Sequence, residues 1–274
     1  MLSRSLSLNS LKVIHHVSKR GKGAFAAIIL LGAVYFFWLT PRYIVPILTY
    51  HSIGYEKNNL FVNPENFAKQ MEYIKKKGYE VITLDELVKS IQTKKRFKGN
   101  KVVITFDDGF QDNFKYAYPV LKKFGFSATI FLITDLISKN PDFLNWDEVR
   151  TMSKNNISFG GHTKTHFYLG IVKDYKIAQE QIAGSKKAIE QEIRAPVEYF
   201  CYPVGGFNER VKEIVKEAGY KGACTTNRGF ARFNSDVYEI KRIKVTNSDM
   251  TKPFSFWLKL SGYYNLFRGR KGPY

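Results

Sequence analysis

Val102-Val103-Ile104-Thr105-Phe106-Asp107-Asp108-Gly109 joins a β-branched apolar run to two adjacent acids and a glycine. The run reads as a buried strand, and the acidic pair marks its carboxyl end. Upstream, the apolar run from Tyr43 to Tyr50, interrupted by Pro46, ends at His51. Asn63-Pro64 then opens a helix in which Phe67, Met71 and Ile74 recur at helical spacing until Gly78, and a short Val81-Ile82 strand precedes a Thr83/Glu86 capping pattern with Leu87, Val88 and Ile91 behind it. Downstream, a helix carrying Phe114, Ala117, Tyr118, Leu121 and Phe124 stops at Gly125, and a strand is expected from Ala128 to Ile133. Helices near Trp146 to Ser153 and Tyr175 to Ile193 enclose a strand at Ile157 to Phe159. Tyr199 to Tyr202 is extended, Asn208 caps a helix with Val211, Ile214 and Val215, and strands follow near Ala223 and Ile240. Repeated strand-helix units predict an α/β fold with a parallel sheet and outer helices, either a doubly wound open sheet or a barrel, and periodicity does not choose between them. Both architectures gather chemistry at the carboxyl ends of strands, where His51, Asp107-Asp108, His162 and Pro203-Val204-Gly205 fall.

With 44% hydrophobic, 15% aromatic and 24% charged residues, the 274-residue chain can bury a core and is not compositionally disordered. The net charge is +19, but Arg4, Lys12, Lys19, Arg20 and Lys22 lie before residue 24, and Lys252, Lys259, Arg268, Arg270 and Lys271 follow residue 251. The remaining excess is spread over runs such as Lys75-Lys76-Lys77, which read as solvated helix faces, so no nucleic-acid partner is expected. Cys201 and Cys224 alone make neither a disulfide framework nor a Cys-rich zinc site. Two buried core thiols and a single bridge both remain open readings.

Residues 24–39 carry no charged side chain, Tyr35, Phe36, Phe37 and Trp38 crowd the far end, and Lys19, Arg20 and Lys22 flank the near end. A membrane span needs about 20 apolar residues, which Gly23 and Thr40 help to supply. The expectation is a basic cytoplasmic tail over 1–23, an uncleaved transmembrane signal anchor over 24–40, and an extracytoplasmic catalytic domain over 41–250. A basic, aromatic segment, 251–274, follows and packs on that domain, with membrane-surface attachment as its alternative.

Asp107 and Asp108 repel one another, and a metal ion would relieve that repulsion while leaving one carboxylate free to accept a proton; a turn or helix cap is the plainer alternative. His162 and His166, four residues apart in Gly160-Gly161-His162-Thr163-Lys164-Thr165-His166, can face one ion if the segment makes a helical turn. Two histidines and a carboxylate form a common open site for a hydrolytic metal.

Thr105-Phe106-Asp107-Asp108-Gly109, then His162-Thr163-x-x-His166, then Tyr202-Pro203-Val204-Gly205 resemble the ordered motifs of the NodB-homology polysaccharide deacetylases, a carbohydrate esterase family, over about residues 45–245. Pro46-Ile47-Leu48-Thr49-Tyr50-His51-Ser52-Ile53 resembles the start of its poly-N-acetylglucosamine deacetylase branch. The resemblance implies a distorted barrel of about seven βα units and an amino-sugar polysaccharide as partner. It also implies Asp108, His162 and His166 as ligands of a divalent metal, Zn2+ first with Co2+, Ni2+ and Fe2+ as alternatives. By the same resemblance Asp107 is the general base, His51 the acid in place of a C-terminal histidine that this chain lacks, and the turn at Tyr202, Pro203, Val204 and Gly205 holds the oxyanion or substrate.

Cys201 and Val204 depart from the third motif, which commonly has Arg and Tyr there. Arg242 is the candidate to replace the missing base-orienting arginine, with a plain surface charge as its alternative. Trp146 and Asp147 are candidates for the sugar groove, and a buried tryptophan beside a helix start explains them equally. The leading expectation is hydrolysis of N-acetyl groups on a β-linked N-acetylglucosamine polymer, exopolysaccharide or peptidoglycan. The alternatives are another acyl bond or a non-catalytic sugar-binding or assembly factor.

Overall fold

Strand parity organises the larger unit. In the computed structural model, which describes residues 19–34, 45–56, 58, 60–95, 97–226, 234–252, 254–262 and 264, two compact units separate at Leu39 and Thr40. In the first unit, α1 (Lys19–Ala33) is 15 residues long. At 1.5 Å per residue it rises about 22 Å, short of the roughly 30 Å of a hydrocarbon core. Among the described residues no helix is long and apolar enough to cross a membrane. Residues 35–40 of the expected anchor lie outside the described residues.

The second unit runs β1 (Ile47–Tyr50), β2 (Ser52–Ile53), β3 (Phe61–Val62), α2 (Pro64–Lys76), β4 (Glu80–Val81), α3 (Leu84–Thr93) and β5 (Lys101–Phe106). One turn of π-helix at Asn113–Ala117 leads into α4 (Tyr118–Phe124), followed by β6 (Ala128–Leu132), α5 (Trp146–Ser153), β7 (Ile157–Gly161), α6 (Tyr175–Ile193) and β8 (Tyr199–Cys201). The remainder is α7 (Glu209–Glu217), β9 (Gly222–Thr225), β10 (Ile240–Lys241), β11 (Ile243–Lys244) and α8 (Ser255–Leu260). Helix starts follow the sequence signals. Thr83 and Asn145 form reciprocal capping boxes with Glu86 and Glu148, and Asn208 accepts the Val211 N–H. Asn63 occupies its expected N-cap position without capping through its side chain. Instead its N–H and the Asn66 side chain both donate to Asn247, tying α2 to the loop after β11.

The main strands are parallel in the order β10-β9-β8-β7-β6-β5-β1-β11, with β4 added beside the start of β5. The two ends of that order are the same stretch of chain. Ile240 and Lys241 pair with Cys224 and Thr225, and two residues later Ile243 and Lys244 pair with Leu48 and Thr49. One kinked strand therefore spans both free edges and closes a seven-position barrel around Arg242, which decides the architecture that periodicity left open. A short parallel pair, β2 with β3, stands apart from the barrel and was not legible in the sequence.

Alternation sorts the strand residues into two cores. Leu48, Tyr50, Ile104, Phe106, Ile130, Leu132, Phe159 and Phe200 face the helices. Ile47, Val103, Phe131, Tyr199, Cys201, Cys224 and Ile240 face the interior, which Ile82, Leu84, Leu87 and Val88 plug from the amino ends of the strands. Continuing the inward parity one step past each strand brings His51, Asp107 and His162 to the opposite, carboxyl end. In the described part of the C-terminal segment, Phe256 and Leu260 of α8 are buried in the outer core, whereas Phe254 is exposed. Lys259 of α8 is buried and donates to Asp249 Oδ2 and to the Lys244 carbonyl, both at 2.6 Å.

Asp249→Ala leaves the buried Lys259 ammonium without that carboxylate, so a loss of roughly 3–5 kcal/mol of unfolding free energy is expected. Urea denaturation followed by circular dichroism checks it; a loss below about 1 kcal/mol would mean that α8 does not depend on this pair.

Candidate active site

Asp107 and Arg242 are both buried and pair with one another. Arg242 Nη1 donates to Asp107 Oδ1 at 2.6 Å and Nη2 to Oδ2 at 2.7 Å, with the arginine side chain fully buried and that of Asp107 4% exposed. Thr105 Oγ1 accepts a third bond from Arg242 Nη1 at 3.1 Å while donating to the Leu48 carbonyl at 2.8 Å. The guanidinium lies over the Phe131 ring, 5.5 Å from its centroid. That ring needs the space Gly160 leaves, because a Cβ on Gly160 would stand 2.5 Å from it. Burial alone would raise the Asp107 carboxyl, but the guanidinium outweighs it and holds the acid well below the usual carboxylate range. Arg242, the expected candidate to orient the acid, thus reaches Asp107 from the closing strand.

Asp108 sits beside it in the left-handed region at φ 72°, so successive carboxylates point to different neighbours. Its Oδ1 lies 3.4 Å from His162 Nε2 and 3.6 Å from His166 Nε2. Burial would raise the Asp108 carboxyl, but the hydrogen bond and charge of His162 lower it on balance. Donors about 2.0–2.1 Å from a tetrahedral zinc lie roughly 3.3–3.4 Å apart, so these three side chains are spaced as ligands of one small divalent ion. His162 Nδ1 stands 2.7 Å from the Cys201 carbonyl, which takes its N–H and so turns Nε2 toward Asp108. The donor set therefore fits a divalent metal.

The His162–His166 segment is not the helical turn expected from its spacing. Thr163 and His166 have φ values of 62° and 61°, and the turn is held by Gln181 of α6, whose side-chain oxygen accepts the Lys164 and Thr165 N–H groups. Thr163 Oγ1 accepts the Phe167 N–H. The histidines converge because of this irregular turn. Asp108, Thr163, His166 and Val204 are all non-glycine residues at positive φ. Each such residue costs on the order of 1 kcal/mol or more.

His51 follows β1 with Nε2 3.9 Å from Asp107 Oδ2, too far for a hydrogen bond. Burial lowers its basicity against the pull of Asp107 and Asp108. Asn113, in the π-turn, donates to the His51 carbonyl at 2.8 Å and to Asp112, which also accepts from Ser52. Pro203 and Gly205 are buried in a tight turn and Val204 is exposed at its tip, φ 57°. The turn's own hydrogen bonds use the N–H groups of Gly205 and Gly206, not that of Val204. Gly205 has φ 81°, and a Cβ there would meet Thr226 at 2.0 Å.

Three expected site residues lie elsewhere. Tyr202 is fully buried on the helix side, stacked on Phe207 at 4.3 Å, because its parity is opposite to that of Cys201. Trp146 packs partly into the outer core while its backbone N–H donates to Ser138 Oγ, and Asp147 is exposed and pairs with Arg150 of its own helix. Sequence reasoning missed Cys201, whose Sγ accepts from Arg242 Nη2 at 2.9 Å and lies 3.6 Å from Asp107 Oδ1. Its inward parity on β8 is the signal that could have found it. Both cysteines are free and buried, and Cys201 and Cys224 are register neighbours.

The polysaccharide deacetylase profile matches residues 94–223. The protein YxkH of Bacillus subtilis is 34% identical over 203 residues, covering 74% of this chain and 71% of that one. The chain belongs to the polysaccharide deacetylase family. It is accordingly a hydrolase of the carbohydrate deacetylase class. The poly-beta-1,6-N-acetyl-D-glucosamine N-deacetylase of Staphylococcus aureus is 25% identical over 220 residues, covering 76% of each chain. Among solved structures, the Streptococcus pyogenes deacetylase PplD, in complex with acetate, superposes with a TM-score of 0.74 at 26% identity, covering 79% of this chain and 98% of that one. For this deacetylase the parallel α/β barrel is thus a shared architecture.

Arg242→Met in metal-free protein leaves Asp107 buried without its cation. The lowered carboxyl of the native pair contributes stability that is fully present above its unfolded pKa, about 4, and is lost as pH falls through the folded value. The variant is expected to lose roughly 3–5 kcal/mol at pH 7 and to close part of that gap near pH 4, where its Asp107 protonates. Urea titrations of both proteins at the two pH values check this; a gap that widens at pH 4 would contradict it.

Proposed function

We propose that the deacetylase hydrolyses N-acetyl groups of a β-linked N-acetylglucosamine polymer, with Asp107 as general base and His51 as general acid. The observation that carries this reading is the convergence of three groups at the carboxyl end of one barrel: the Arg242-paired Asp107, the Asp108-His162-His166 donor set, and His51. The Staphylococcus aureus relative named for poly-beta-1,6-N-acetyl-D-glucosamine supports the polymer class.

Asp108, His162 and His166 would hold a divalent ion, most naturally Zn2+ for two imidazoles and a carboxylate. When bound, the ion supplies Lewis acidity toward a water and toward the acyl carbonyl. Asp107 takes the proton of the attacking water. Its pairing with Arg242 keeps it ionised and oriented, and the same pairing weakens it as a base. The Val204 N–H, outside its turn's own hydrogen bonds, faces the oxygen on which negative charge develops. His51 then donates to the sugar nitrogen as the carbon–nitrogen bond breaks, giving acetate and the free amine. Burial keeps the imidazole from binding its proton too tightly to give it up.

The extracytoplasmic, anchored location belongs to the same proposal. Support comes from the basic flank and the uncharged run 24–39. Retention of the full chain in alkaline-washed membranes, against release of the chain starting at Pro41, tests it.

Acetate release from N-acetylglucosamine oligomers is expected to require added Zn2+ or Co2+ and to stop with a chelator. Asp107→Asn and His51→Ala are each expected to lower kcat by roughly 10²–10⁴-fold. Metal-loaded, folded protein that releases no acetate would direct the assignment to another acyl bond.

A further inference from the structure

Of the two proposed proton carriers, Asp107 is fixed by both arms of Arg242, whereas no hydrogen bond among the described residues fixes the His51 ring. The ring's Nδ1 is buried without a partner, and Nε2 stands 3.9 Å from Asp107 Oδ2. Where the imidazole lies therefore depends on where the backbone of residues 50–53 lies.

That backbone is tied, residue by residue, to the segment 107–113. The Asp107 N–H donates to the Tyr50 carbonyl at 3.0 Å. Asn113 Nδ2 donates to the His51 carbonyl at 2.8 Å. Ser52 Oγ donates to Asp112 Oδ2, and the Ile53 N–H donates to the same carboxylate. A second Nδ2 hydrogen of Asn113 goes to Asp112 Oδ1 at 2.8 Å and joins the two holders. The register of β1 on β5 ends with Tyr50 opposite Phe106, so the contacts to His51, Ser52 and Ile53 are not sheet bonds. They come from two side chains that the loop after β5 brings back over the end of β1.

Asn113 is fully buried, and its Oδ1 has no partner. Leaving a buried acceptor unpaired is costly, so the amide is held there for what its NH2 group does. Its own backbone is anchored on both sides: its N–H donates to the Phe110 carbonyl, and its carbonyl accepts the Tyr118 N–H across the π-turn. Single π-turns recur at functional sites. Residues 107–113 thus carry the proposed base, a candidate metal ligand and the holder of the proposed acid in one short stretch of chain.

Resting on the reading of His51 as the acid, we propose that Asn113, braced by Asp112, is a positioning residue that sets the distance between His51 and Asp107. The two groups serve the two ends of one carbon–nitrogen bond, the base at the attacked carbon and the acid at the nitrogen. Their separation has to match that bond, and a displacement of about 1 Å costs roughly 100-fold in rate.

Acetate release and ring spectra of the full-length protein test this separately. With zinc-loaded protein acting on N-acetylglucosamine oligomers, Asn113→Ala is expected to lower kcat roughly 10–100-fold while KM stays within about twofold. In a His51→Ala background the same substitution is expected to change kcat less than about threefold, because its effect passes through His51. Equal losses in both backgrounds, or a loss carried by KM alone, overturn the inference. In chelator-treated protein containing isotope-labelled histidine, Asn113→Ala is expected to shift or split the His51 ring resonances and to leave those of His162 and His166 in place. His51 resonances that do not move overturn it as well. Should Asn113→Ala not fold, Asp112→Asn, which keeps the size of the brace and loses one acceptor, carries both readouts. A His51→Ala protein with undiminished kcat counts against the acid reading instead, and the ring spectra still decide whether Asn113 places His51.

Discussion

The bidentate pair between Arg242 and Asp107 does two jobs at once. It orders the acid proposed as the base, and it fastens the strand that closes the barrel to the strand that carries the acid. Buried ion pairs repay their desolvation only when geometry is good and the remaining donors are satisfied. Here Thr105 and Cys201 accept further guanidinium N–H groups and the Phe131 face lies against it, while the buried Nε–H has no hydrogen-bond partner. Arg242 could not hold this place if β10 and β11 were one straight strand on a single neighbour. The kink between Lys241 and Ile243 lets one side chain reach the axis while the flanking residues pair to either side.

The metal-type cluster depends on the same parity through a different device. His162 is inward on β7, and the Cys201 backbone carbonyl of the next strand fixes its ring. Cys201 thus contacts Asp107 and Arg242 through sulfur and a candidate ligand through its carbonyl. The unusual φ values at Asp108, Thr163, His166 and Val204 show the backbone yielding to side-chain placement, and strain of this kind persists only where its surroundings over-determine it.

Much of this was legible in the sequence because polar residues at the ends of apolar runs are conspicuous. His51, Asp107, Asp108, His162 and His166 stood out in that way, and all five meet at one mouth. Arg242 was found by asking what replaced an absent arginine. Tyr202 misled because motif position says nothing of parity, and its neighbour Cys201 took the inward place. Barrel closure was hidden because two-residue strands carry no periodic signal. The turn at His166 was hidden for another reason: its conformation is set by Gln181, far along the chain on α6.

Closure by residues 240–244 also has a meaning for how the protein is made. Asp107 and Arg242 are 135 residues apart. During synthesis from the amino end, β1 and β9 wait as unpaired edges until nearly the whole catalytic unit has emerged, the condition under which strands pair with the wrong partner. The last strand to arrive removes both edges and delivers the counter-charge of the buried acid in the same event. A nascent or truncated chain thus exposes sticky sheet edges and lacks the Asp107 partner together, so incomplete copies are marked for aggregation or proteolysis rather than for faulty catalysis.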